Sequence, residues 1–160
     1  MKAEFIVPFV DAATSVGEEI TGLHPTRGDL ELKNGLVTSL PINFLCSIKG
    51  DIEGIAMFGL SRETAMKIAE TILDQKLRVF DQTVSSAIVG FGAKICEAFM
   101  TSLSSQGLTV TLSHSALFRG TFVNVPTFGV PTLVVPVQFE GFGTISVNVS
   151  VKKSIDEEAA

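Results

Sequence analysis

Lys94 and Glu97 stand one helical turn apart on the polar edge of what the sequence predicts to be a single long helix, running from Asp81 to Gly107. An ammonium beside developing negative charge is a recognised catalytic device. At this spacing, however, an ion pair between Lys94 and Glu97 is the simpler expectation. At about 100° per residue, Val84, Ile88, Ile95 and Phe99 share one side, with Phe91 and Ser102 close by. Ser86, Gly90, Lys94, Glu97, Thr101 and Ser104 share the other. Asp81 is placed to cap the start by accepting a backbone N–H, and Gly107 to end the helix in a left-handed conformation. Such a helix packs one face and shows the other.

Other reactive side chains form no recognisable constellation. Cys46 and Cys96 lie in apolar stretches without CxxC spacing, which predicts buried structural thiols rather than a disulfide framework or a zinc site. His24 and His114 are far apart and lack patterned ligand neighbours, so they read as loop or surface residues. Gly90-Phe91-Gly92 sits inside the helix instead of after a strand, and no P-loop or Ser, His and Asp arrangement occurs. No cofactor or metal is expected.

The chain has 160 residues, the usual size of one domain, and is 46% hydrophobic with only 18% charged residues. Strands this apolar should be buried on both faces or in an interface, which points to self-association. A net charge of -5 with scattered Lys and Arg argues against nucleic acid as a partner. Glu4, Pro8 and Asp11 break any signal-like apolar run, and no stretch is expected to reach the roughly 20 apolar residues of a membrane helix. The expected location is therefore cytoplasmic.

The remaining elements follow from periodicity. Phe5 to Thr21 reads as a helix with Pro8 in its first turn and Gly22 after its end. Leu30 to Leu40 reads as a hairpin about Asn34-Gly35, and Ile42–Ile48 with Ile52–Leu60 as a second about Gly50-Asp51. Ser61 caps a helix to about Leu73, with Ala65, Ile68, Ala69 and Ile72 inward. Leu108–Phe118, Leu133–Phe139 and Gly143–Val151 read as strands of a sheet with one dry face, and Arg119–Pro131 as the longest loop. Residues 1–151 form one expected α+β domain, an antiparallel sheet packed by helices, and 152–160 an expected frayed polar tail.

Five segments together resemble the CheX proteins of the CheC, CheX and FliY group of chemotaxis phosphatases. They are MKAEFIVPFVDAATSV, SIKGDIEGIAMFGLS, ETAMKIAETIL, the long helix from Val84, and GVPTLVVPVQFEGFGTISVNV. The resemblance implies a CheC/CheX-like α+β fold, often a homodimer paired through the sheet, and a CheY-type response regulator as partner. It also implies a Glu-x-x-Asn on the long helix. In that group the Glu holds a regulator Lys, and the Asn amide positions water for attack on the acyl phosphate, a use of positioning and electrostatics.

Carried onto this chain, Phe91 takes the Glu place and Lys94 the Asn place, and neither side chain suits the role. Phe91 has no charge, and an ammonium only donates hydrogen bonds. A site shifted onto Glu97 would need an amide where Met100 stands. The expectation is a CheX-like protein that binds a receiver domain at a surface including Phe91 and Lys94 but has lost the phosphatase residues. Two alternatives stay open: a phosphatase using the Lys94 cation, and a dimerising structural module without a receiver partner.

Overall fold

A computed structural model of the chain describes residues 3–34, 37–127 and 129–154. After a short 3-10 turn at Ala3–Phe5, the order of elements is α1 (Val7–Thr21), β1 (Thr26–Arg27), β2 (Glu31–Lys33), β3 (Val37–Thr38), β4 (Ile42–Gly50), β5 (Ile52–Leu60) and α2 (Arg62–Leu73). There follow α3 (Gln82–Ser105), β6 (Val110–Arg119), β7 (Asn124–Val125), β8 (Thr132–Phe139) and β9 (Gly143–Lys153). The main sheet is antiparallel with seven strands in the order β1-β8-β9-β5-β4-β6, and β2 also pairs with β8. This is the α+β architecture that the element order predicts.

One face of the sheet meets the helices. Phe44, Cys46 and Ile48 of β4, Ala56 and Phe58 of β5, and Ile145, Val147, Val149 and Val151 of β9 form a core with Phe9 and Ala13 of α1 and Ile88, Ile95 and Phe99 of α3. The alternation that the strand sequences show is what delivers these residues to one side. Phe99 lies at the centre, its ring 4.6 Å from that of Phe9 and 6.3 Å from that of Phe58. The local signals act as their chemistry requires. Ser61 accepts the Thr64 N–H at 3.1 Å, Asp81 accepts the Val84 N–H at 3.2 Å, and Gly107 has φ +83° beyond α3.

Several expectations need correction. The segment 30–40 is not a hairpin: β2 pairs with β8 and β3 with β7, in different sheets, because the open edge of β8 takes the hydrogen bonds that a second arm would have taken. Gly35 and Leu36, half of the expected turn, lie outside the described residues. The second sheet face is not simply wet. Val125 packs with Met57, Leu45, Ile55 and Phe118, while Ser150 donates to the Val130 carbonyl at 3.1 Å, so Arg119–Pro131 acts partly as a cover. Asn148 and Ser150 are buried beneath it.

Strand β9 runs two residues past the expected domain end at Val151. Lys152 and Lys153 are still in β9, opposite Glu53 and Ile52, and residues 155–160 lie outside the described residues. Ile72, expected inward, is 40% exposed because the end of α2 overhangs a groove between the helices. Finally, α3 with its 24 residues is long and apolar enough on average to span a membrane, against expectation. Its apolar side is occupied by the core, which accounts for its composition.

Two glycines of α3 separate packing from propensity. A Cβ at Gly92 would come within 2.4 Å of the Phe44 ring, whereas one at Gly90 would meet nothing within 4 Å. Gly92→Ala should cost about 1–3 kcal/mol through overpacking. Gly90→Ala should stabilise by roughly 1 kcal/mol through helix propensity. Urea denaturation of the two variants checks the opposite signs.

Candidate functional site

The outward face of α3 is where the sequence placed its candidate chemistry. Ser86, Gly90, Ala93, Lys94, Glu97 and Thr101 are all exposed there, as the helical period requires. Beside this face lies a groove of about 480 Å³ between the three helices, lined by Glu19, Ile20, Thr71, Ile72, Ser86, Gly90 and Lys94, with Phe91 and Ala87 at its floor.

Lys94 is exposed but not paired as the sequence suggested. Its Nζ donates to Oε1 of Glu19 at 3.1 Å, so the ion pair joins α3 to α1 instead of running along α3 to Glu97. The packing of α1 alongside α3 brings the Glu19 carboxylate within reach. Both side chains are more than half exposed, and such a pair contributes less than about 1 kcal/mol. Glu19 was not legible as a site residue, since the contact spans 75 positions of sequence.

Phe91 is only 3% exposed and belongs to the core. Its ring packs inward and reaches solvent only at the floor of the groove, while Lys94 stands exposed at the groove's edge. On this helix the two solvent-facing positions with Glu-x-x-Asn spacing next to Phe91 are Gly90 and Ala93, which carry no polar side chain. Glu-x-x-Asn does not occur within α1, α2 or α3. Within the three helices, Glu18, Glu19, Glu63, Glu70 and Glu97 are followed three places on by Thr21, Gly22, Met66, Leu73 and Met100. The chain's single Glu-x-x-Asn is Glu31 with Asn34, at strand β2, where side chains three apart point to opposite faces.

The other candidates disperse. His24 is at the surface against Glu18 at 2.7 Å, and His114 lies on exposed β6 opposite Ser47. Among the described residues no three His, Cys, Asp or Glu side chains gather as a metal site. Cys46 and Cys96, in contrast, come together: their Sγ atoms are 2.7 Å apart, both thiols free and buried.

No family model matches the chain, and none of the curated proteins matches it. Solved structures do. A CheC-like superfamily protein from Shewanella sp. PV-4 is 17% identical, with TM-score 0.82, over 95% of this chain and 99% of its own. The chemotaxis protein CheX from Desulfovibrio desulfuricans is 19% identical, with TM-score 0.79, over 94% and 99%. CheX from Borrelia burgdorferi, solved as a complex with CheY, BeF3 and Mg, is 23% identical, with TM-score 0.78, over 95% and 100%. The chain has the CheC/CheX-like fold.

The position of Phe91 yields a direct check. Phe91→Ala should destabilise the protein by about 3–5 kcal/mol, the cost of emptying a buried aromatic site, whereas Lys94→Ala should cost less than about 1 kcal/mol. Equilibrium denaturation distinguishes the two. A near-neutral Phe91→Ala would mean that the ring is not in the core.

Proposed function

We propose that this chain binds a CheY-type response regulator through the exposed face of α3 and does not hydrolyse its acyl phosphate. The observation that carries the second half is the lack of any helical Glu with an amide one turn on. In-line attack on an acyl phosphate needs a water held by a group that accepts as well as donates, and a Glu to fix the receiver's lysine. Gly90 and Ala93 supply neither. The first half rests on the fold shared along nearly the whole chain with CheX proteins, one of them solved with CheY.

The Lys94 cation is a poor substitute for the lost amide. It is engaged with Glu19, which offsets the charge it would bring to a phosphoryl group. Lys94 instead serves the proposal as a recognition residue at the mouth of the groove, able to exchange its Glu19 contact for an acidic side chain of the receiver. Phe91 serves by holding α3 in place from within.

The same reading makes the protein a cytoplasmic homodimer. Among the described residues, β6 pairs only with β4, so its ten residues present an unsatisfied hydrogen-bonding edge with mostly exposed side chains. Sedimentation velocity at micromolar concentration should return a dimer. A monomer would remove this part of the proposal.

Binding is tested by titrating the protein with each CheY-type receiver of its source organism, with and without BeF3 as phosphoryl mimic. Affinity for one loaded receiver should exceed that for its unloaded form by roughly tenfold or more, a differential of about 1.4 kcal/mol. Lys94→Glu should weaken it. Equal absence of binding in both forms would favour the structural-module reading.

A further inference from the structure

We propose that Cys46 and Cys96 are a redox-modifiable pair, closing reversibly to an intramolecular disulfide that staples α3 to β4, the strand beside the β6 edge of the sheet. Cys46 sits in mid β4, with Ala56 of β5 on one side and Ser115 of β6 on the other. Cys96 follows Ile95 on the buried side of α3. Their Sγ atoms are 2.7 Å apart, against about 2.05 Å in the bond. These are the only two cysteines in the chain, so neither has a competing partner within it.

The chemistry needs a two-electron oxidant of the peroxide class. Cys96, at 4% exposure against 0% for Cys46, meets it first. Its sulfur takes one peroxide oxygen to become a sulfenic acid, and one water leaves. Cys46 then attacks that sulfur, the S–S bond forms as the S–O bond breaks, and the hydroxyl leaves as a second water with the Cys46 proton. The two thiols have together lost two electrons and two hydrogens. A dithiol reductant reverses the step by exchange.

The surroundings set the pace. The Cys96 thiol beside it, and then burial, push the Cys46 thiol well above its ordinary range. The Cys46 thiolate is therefore scarce, and with both sulfurs buried closure waits on local opening of α3 from β4. The pair is thus a slow but durable lock, unlike an exposed low-pKa sensor thiol. The outward residues Gly90, Lys94 and Glu97 are chemically untouched by it, so it stands whether or not a receiver binds there.

The test uses the purified full-length protein, reduced and then exposed to hydrogen peroxide or diamide, alkylated in denaturant and mapped by peptide mass. Expected are loss of both alkylatable thiols and one peptide pair joining Cys46 to Cys96. A thermal midpoint raised by roughly 10 °C should follow from closing a long loop. Dithiothreitol should reverse all three, and Cys96→Ala should show no upward shift. Two thiols still alkylatable after prolonged oxidation would overturn the proposal, as would cross-links between chains or sulfinic acid on one cysteine alone. The wild-type peptide map decides even if the variant does not fold.

Discussion

Burial of one side of α3 between α1 and the sheet is the constraint on which the rest of the molecule depends. Phe99 lies against Phe9 and Phe58, and Gly92 is small because Phe44 fills the space where its side chain would be. Once Ile88, Phe91, Ile95 and Phe99 are committed inward, the helical period leaves no freedom over what faces out. The outward set includes Ser86, Val89, Gly90, Ala93, Lys94, Glu97 and Thr101. Rotating the helix to expose Phe91 would bring polar residues of that set into a desolvated core, at several kcal/mol for each unpaired group.

Under the proposed function, the same constraint lets a fold shared with solved CheX structures stand without phosphatase chemistry. Recognition as proposed would draw on shape and charge, which the groove lined by Glu19, Gly90 and Lys94 offers. Aiming a water needs one particular amide one turn from one particular carboxylate, and a single missing atom defeats it. Fold is set by dozens of core contacts that tolerate exchange, whereas the catalytic pair has no such redundancy.

Most of the fold was legible in the sequence because its signals are local. Ser61, Asp81 and Gly107 bound the helices, and the alternation of Ile145, Val147, Val149 and Val151 gives the buried side of β9. What escaped was long-range. Asn34-Gly35 has strong turn chemistry, yet β2 and β3 find their hydrogen bonds in β8 and β7, which turn propensity does not register. The Lys94–Glu19 pair and the Cys46–Cys96 contact arise only when α1, α3 and β4 pack. At the candidate site two sequence signals conflicted. Periodicity put Phe91 with the apolar side, while the family spacing set it at a partner-facing place, and burial decides for periodicity.

The most direct test of recognition without hydrolysis is the rate of acyl-phosphate loss from the phosphorylated receiver that the protein binds, followed with the wild-type chain and with Gly90→Glu/Ala93→Asn. The wild type should leave the receiver's own rate unchanged, and the double variant should accelerate it. Rapid loss of phosphate with the wild-type protein would contradict it.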